Sequence, residues 1–239
     1  MKKITLIIIF FSIILIIPYF FIIFKNLTCF QEIDSKLIKY FLLLTNTAGF
    51  PYAILLSVIF LYFILYFINN KKKQFQIAII LLFCIFSQQC FKILIKNIFQ
   101  KPRPYVIWLY NKNKRINLNF YDLKKYERIY LIEKIAKQNN VSVLQYKHWQ
   151  SETSYSFPSG HVLFVFDWLF LFIIFFWHRK KYFLFIILII WAEGVSFSRI
   201  LLGMHWPIDV IASIIISAIF TLFFYKIFIY KNFIKKQSK

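Results

Sequence analysis

The chain has 239 residues, of which 60% are hydrophobic and 22% aromatic, and its mean hydropathy is +0.65. A composition this apolar excludes an ordinary water-soluble domain. Lys and Arg number 30 against nine Asp and Glu, a net charge of +21, but the cations cluster beside apolar runs, which is a membrane-topology pattern, and no nucleic-acid partner is expected.

The apolar runs approach the roughly 20 residues needed to cross a bilayer. The first, residues 4–24, is uncharged and follows Lys2 and Lys3. It is longer than the apolar core of a signal peptide and lacks a small-residue cleavage site, so it reads as a span. The second lies within 50–68 and ends at Lys71-Lys72-Lys73, and the third covers 75–95. A fourth, 162–177, ends at His178-Arg179-Lys180-Lys181. A fifth covers 182–197, and a sixth, 208–225, leads into a basic tail with Lys226, Lys231, Lys235, Lys236 and Lys239. The pattern predicts an all-α integral membrane protein with six transmembrane helices, one membrane-embedded domain over 1–239. The basic clusters then share one face, predicted to be cytoplasmic, with both termini on it.

Between the third and fourth runs lies a segment, 96–157, too long to be a plain connector. Within it Leu123, Tyr126, Ile129, Tyr130, Ile132 and Ala136 recur at helical spacing, with Asn119 or Asp122 available as a cap. They predict a partly helical insertion whose amphipathic helix lies at the membrane surface and forms one wall of the access route for a lipid head group. A solvated helical loop is the plainer alternative. Cys29, Cys84 and Cys90 lack zinc-site spacing and read as buried, inert thiols. The sequence offers no carboxylate cluster able to hold a hard cation.

Three short stretches hold most of the reactive side chains. His205 and Asp209 are four residues apart with Pro207 between them. Proline suits the first turn of a helix, and positions i and i+4 share a face. The carboxylate can accept from one ring nitrogen and leave the other as a lone pair, the requirement for an imidazole nucleophile. A His–Asp pair serving helix stability alone is the other reading. His161 follows Pro158-Ser159-Gly160 and opens the fourth run. Backbone N–H groups at a helix start favour an anion, Gly160 allows close backbone approach, Ser159 adds a hydroxyl, and His161 is placed to protonate a leaving oxygen.

Lys96, Arg103 and Arg199 supply fixed positive charge for the equatorial oxygens of a phosphoryl group in transfer. Pro102 and Pro104 hold Arg103 in an extended segment, and Arg199, Gly203 and His205 fall on the connector between the fifth and sixth runs. Lys101 reads either as a helper in this role or as a cation reaching to the interface. With six spans, all three stretches lie on the face opposite the basic clusters. Asp167 and Glu193, inside the fourth and fifth runs, are costly there, and pairing with head-group cations is one of their readings. Trp108, Trp149 and Trp206 read as interfacial anchors.

Lys96, six residues, then Arg103-Pro104; Pro158-Ser159-Gly160-His161; and Ser198-Arg199, five residues, His205, three residues, Asp209 together resemble the three-part signature of the type-2 phosphatidic acid phosphatase superfamily. The likeness is densest from Lys96 to Val210, where the flanking residues resemble one member in particular. The resemblance implies a bundle of six helices and a phosphohistidine on His205, oriented by Asp209. It implies that His161 protonates the leaving group and then activates water, while Lys96, Arg103, Ser159, Gly160 and Arg199 hold the phosphate. It also implies a bacterial inner-membrane location with a periplasm-facing site. The substrates expected are phosphatidylglycerophosphate, phosphatidic acid, lysophosphatidic acid, diacylglycerol pyrophosphate and undecaprenyl pyrophosphate, with no metal, no other cofactor and no obligate protein partner. A lipid A phosphatase, a dedicated undecaprenyl pyrophosphate phosphatase, and an inactive scaffold or transporter are the alternatives.

Overall fold

The computed structural model describes residues 2–25, 35–113 and 119–228; Cys29 and the tail lysines beyond Lys226 lie outside them. The described residues form α1 (Lys2–Phe24), α2 (Ser35–Asn46), α3 (Tyr52–Tyr66), α4 (Lys71–Phe99), α5 (Pro104–Lys112), α6 (Lys125–Gln138), α7 (Val143–Ser151), α8 (Gly160–Phe176), α9 (Tyr182–Leu201) and α10 (Pro207–Phe224), with no strand among them. Among the described residues, five helical segments are long and apolar enough to cross a membrane: those containing α1, α4, α8, α9 and α10. The second expected span is the apolar α3, of only 15 residues.

Helix α8 is buried on nearly every side, as a helix apolar around nearly its whole circumference is at the centre of a bundle. It packs against α1, α3, α4, α9 and α10. Helix α3 runs parallel to it: Phe60 meets Trp168 and Phe172, Phe63 meets Phe172 and Phe176, and Phe67 meets Phe176. Beyond the end of that pair Arg179 donates to the Phe67 carbonyl at 3.1 Å. Lys2 on α1 and Lys226 just past α10 line one cavity, so α1 and α10 run antiparallel. The clusters at Lys2–Lys3, Lys71–Lys73, Arg179–Lys181 and Lys226 therefore gather at one end of the bundle, away from His161 and His205.

Two helix ends extend past the expected spans. Nothing after Ile95 interrupts α4 until Gln100, a left-handed C-cap (φ 42°), just ahead of Lys101, whose helical conformation Pro102 disfavours. Lys96 therefore stands inside the helix. Likewise α9 continues to Leu201, so Arg199 belongs to its last turn rather than to the connector.

Along α10, Ser213, Ser217 and Thr221 follow Asp209 at every fourth position, all fully buried. Ser213 donates to the Asp209 carbonyl at 2.7 Å, and Ser217 donates to the Leu163 carbonyl at 3.0 Å and accepts from Gln88 at 3.3 Å. Asp167 faces Gln88 and Ser217 in this seam. Glu193 accepts the Tyr19 hydroxyl at 2.5 Å and ties α9 to α1. Neither acid forms an ion pair among the described residues, so the head-group pairing read from the sequence is not found. Cys84 is buried, but Cys90 is exposed on α4, against the expectation of a buried thiol.

Helices α5, α6 and α7 sit over the far end of the bundle on an apolar core of their own, including Tyr105, Leu109, Ile132, Ile135, Tyr146 and Trp149. Arg128 staples this cap by donating to the carbonyls of Tyr121, Leu123 and Thr153 at 2.6, 2.9 and 3.1 Å. Helix α6 starts at Lys125, later than either expected cap, with Glu127 accepting the Lys124 N–H at 2.7 Å. Trp149 is no interfacial anchor: it is fully buried, stacks on Tyr105 at 5.2 Å and donates to the Leu202 carbonyl at 2.8 Å. Trp206 likewise donates to the Pro102 carbonyl at 2.8 Å, and Trp108 packs on Trp149 at 5.7 Å.

Candidate active site

Each of the three stretches is set by a helix terminus. Arg103 is the extended N-cap of α5 (φ −74°, ψ 152°), with Pro104 at the first helical position. Ser159 is the extended N-cap of α8, so Gly160 and His161 open that helix. Trp206 caps α10, with Pro207 at the first position and the Asp209 carboxylate accepting the Trp206 N–H at 2.9 Å. Gly203 (φ 73°) turns the chain back from α9, and the N–H groups of Met204 and His205 both donate to the Arg199 carbonyl, at 3.0 and 3.1 Å. Arg199 and His205 are thereby locked together.

Lys96, Arg103, Gly160, His161 and His205 line one cleft of about 850 Å³. Ser159, Arg199 and Asp209 stand behind it. Its long walls are α3 (Ala53, Ile54, Ser57, Val58, Leu61) and α4 (Leu82, Ile85, Phe86, Gln89, Ile93). From Leu82 to Lys96 the α4 wall runs about 20 Å at the helical rise. Ile54, Val58, Leu82, Phe86 and Ile93 are also exposed on the flank of the bundle. The cleft therefore opens sideways between α3 and α4 and is apolar along its length. No residue of α6 lines it, so the insertion helix does not form the access wall expected of it. The lining is α3 and α4 instead, because α6 turns Ile132, Ile135 and Ala136 into the cap core.

The centre of the charged end is a residue that sequence reasoning left without a role. Glu152 Oε2 accepts from Arg199 Nη2 at 2.7 Å and from Arg103 Nη2 at 3.2 Å, and its Oε1 lies 3.8 Å from His161 Nε2. Burial pushes the Glu152 carboxyl up, but Arg199, His161, Arg103 and His148 outweigh it and hold the group well below the usual carboxylate range. Arg199 is fully buried; its Nη1 donates to His148 Nε2 at 2.9 Å and Thr45 Oγ1 at 3.2 Å. Burial first, then Arg199, lower His148 to about 4, Glu152 opposing, so its neutral ring can accept. Arg103 also donates to the carbonyls of Ser154 and Met204, at 2.7 and 3.2 Å. Lys96 donates to the Tyr155 carbonyl.

His205 is 1% exposed, and its Nε2 faces Arg103 Nη1 at 3.5 Å. A guanidinium cannot accept, so a lone pair on Nε2 fits this contact and puts the ring proton on Nδ1. Nδ1 lies 3.7 Å from Asp209 Oδ2, beyond hydrogen-bond length. Burial pushes His205 down to about 3; nearby Asp209 opposes this, while Arg103, Arg199 and Lys96 add to it. The imidazole is thus neutral at ordinary pH, as a nucleophile must be.

The Ser159 N–H donates to Ser213 at 2.9 Å, while the buried Ser159 hydroxyl has no partner among the described residues. A Cβ on Gly160 would come within 3.0 Å of Lys92 Nζ, and one on Gly49 within 3.1 Å of His161 Nε2. Lys92, four residues before Lys96 on the same face, also lines the cleft; that spacing was the signal for it. The arrangement brings two imidazoles and several cations around a point now filled by one carboxylate.

Comparison with known proteins gives a consistent picture. The profile of the PAP2 superfamily matches residues 77–233. Phosphatidylglycerophosphatase B of Escherichia coli (strain K12) is 38% identical over 187 residues, 77% of this chain and 73% of that protein. The protein of the same name from Haemophilus influenzae is 29% identical over 181 residues, 73% of this chain and 75% of that one.

Proposed function

The chain belongs to the PAP2 superfamily, and from that premise we propose that it is a membrane-embedded lipid phosphatase that works through a phosphohistidine on His205, with phosphatidylglycerophosphate as its first substrate. One observation carries this reading: Arg103, Arg199 and His161 converge on the Glu152 carboxylate at the head of an apolar cleft. A carboxylate and a phosphate present the same kind of acceptor oxygens. An incoming phosphate displaces Glu152 from its cations while the acyl chains lie along α3 and α4.

In the first step the His205 Nε2 lone pair attacks phosphorus, the P–O ester bond breaks, and His161 gives its proton to the departing oxygen. In the second, His161 takes a proton from water, the water oxygen bonds phosphorus, and the P–N electron pair returns to His205. Arg103, Arg199, Lys96, the Ser159 hydroxyl and the backbone at Gly160 hold the equatorial oxygens, and Asp209 orients His205. Phosphatidic acid and lysophosphatidic acid carry the same kind of phosphomonoester, and diacylglycerol pyrophosphate and undecaprenyl pyrophosphate present a terminal phosphoryl group on an anhydride oxygen, so that a lipid phosphate leaves instead; the same cleft serves them all.

We take α3 as the sixth crossing. It parallels α8 along its length, and Gln74 and Arg179 bind the carbonyls at its end. The Lys-rich end then faces the cytoplasm, with the site and the 96–157 insertion at the outer face of a bacterial inner membrane, all within one domain. A cysteine placed at Lys134, in a variant lacking the natural cysteines, should react with an impermeant maleimide from the periplasmic side. Reaction only after the membrane is broken would reverse the topology.

The function is tested by phosphate release from purified protein in detergent, on a panel of phosphatidylglycerophosphate, phosphatidic acid, undecaprenyl pyrophosphate and a lipid A precursor. Phosphatidylglycerophosphate should turn over fastest, at a rate unchanged by a strong chelator, because His205 and the fixed cations perform the transfer. Release from the lipid A precursor alone, or loss of rate on chelation, would reject the assignment.

A further inference from the structure

Lys101 was open between a role in the site and the interface, and its geometry decides the matter. Its Nζ lies 2.9 Å from Asp209 Oδ1, with the lysine side chain 32% exposed and the aspartate fully buried. The same ammonium stands 5.9 Å from the Trp206 ring centre. Its backbone is pinned as well: the Lys101 carbonyl accepts from the Ser156 N–H at 2.8 Å and the Ser156 hydroxyl at 3.1 Å. Lys101 does not line the cleft, so it is not placed to hold substrate phosphate.

Asp209 is therefore divided. Oδ1 goes to Lys101, and Oδ2 goes to the Trp206 N–H at 2.9 Å, leaving His205 Nδ1 at 3.7 Å. A carboxylate neutralised by an adjacent ammonium donates less charge to an imidazole than a free one does.

We propose that Lys101 is a positioning residue for phosphoryl transfer: it anchors Asp209 through Oδ1 and limits how strongly that carboxylate charges His205, so that the phosphohistidine still breaks down. The inference rests on the reading of His205 as nucleophile. When water attacks the phosphohistidine, the P–N bond breaks and its electron pair returns to Nε2. An imidazole paired tightly with a full carboxylate charge is more basic and a poorer leaving group. Lys101 keeps the pairing loose. The other charged and titratable groups facing His205 are Arg103 from the start of α5, Arg199 from α9, Lys96 from α4 and His161 from α8, and none of them touches Asp209 Oδ1.

Lys101→Met keeps an unbranched stem and removes the charge. It should lower kcat on phosphatidylglycerophosphate by about tenfold, leave KM within about twofold, and move the acid limb of kcat/KM to higher pH, because His205 becomes easier to protonate. Phosphoenzyme trapped by an alkaline denaturing quench, in which a P–N bond survives, should rise several-fold at steady state. Lys101→Arg should restore all of these, and Lys101→Met added to Asp209→Asn should cost little more than Asp209→Asn alone. A raised KM with an unmoved acid limb, or losses that add in the double variant, overturns the inference. So does a variant that loses thermal stability while its kinetics stay wild-type. His205→Ala separates the two levels: if that variant still turns over, the nucleophile assignment falls and this inference with it. If it is inert while Lys101→Met behaves as wild type, only the role of Lys101 falls.

Discussion

His205→Ala should abolish phosphate release from every lipid on the panel, by at least about 10⁴-fold, and no acid-stable or base-stable phosphoenzyme should be trapped. The ring is 1% exposed, its Nε2 faces the guanidinium of Arg103, and burial keeps it neutral. It is the imidazole whose Nε2 faces Arg103 at the head of the cleft. His161, across the Glu152 carboxylate, should behave differently. His161→Ala should cost on the order of 10²–10⁴ with alkyl phosphates, whose leaving oxygen needs a proton, and much less with an activated aryl phosphate. Ordinary turnover by His205→Ala, or equal losses for both leaving groups in His161→Ala, would exchange or erase these roles.

Arg199→Ala should be nearly as damaging, and in two ways at once. Activity should fall by at least about a hundredfold, since the variant lacks a fixed cation at the phosphate. Stability should fall by roughly 3–5 kcal/mol, because Glu152 loses its nearest partner and the fully buried Thr45 hydroxyl loses a donor. Thermal unfolding in detergent reads the second effect. Adding Glu152→Gln to Arg199→Ala removes the charge then held by Arg103 alone, and should recover part of the stability without recovering turnover. Recovery of both would mean that Arg199 serves Glu152 alone; retention of both in the single variant would remove Arg199 from the site.

The parts of the fold written locally in the chain were legible. The sixth run, expected over 208–225, is α10 at Pro207–Phe224, because apolar continuity and Pro207 fix its ends. Helix α2 was not anticipated. Lys36 and Lys39 interrupt its apolar residues, and its 12 residues are too few to cross a bilayer, so only packing on α9 and α7 gives it a place. The spacing of Lys96, Arg103, His161, Arg199, His205 and Asp209 pointed to phosphoryl chemistry before any geometry was available. Glu152 escaped because its partners are long-range: Arg103 and Arg199 stand 49 and 47 residues away in sequence. A lone acid six residues before Pro158, in a chain of net charge +21, was the available hint. The Trp149 assignment failed for a related reason. A tryptophan near a predicted span fits an interface or a small core equally well, and only the Tyr105 and Leu202 contacts choose the core.

The sideways opening between α3 and α4 has a kinetic consequence. An enzyme loaded through its flank meets its substrate by two-dimensional collision within one leaflet, so the relevant concentration is the mole fraction of phospholipid in the surface, not its molarity in the tube. Inert amphiphile added at constant total lipid phosphate slows such a catalyst by surface dilution. The two products also part company: the dephosphorylated lipid diffuses back along the sheet it came from, whereas inorganic phosphate has no tail to hold it there and escapes to water.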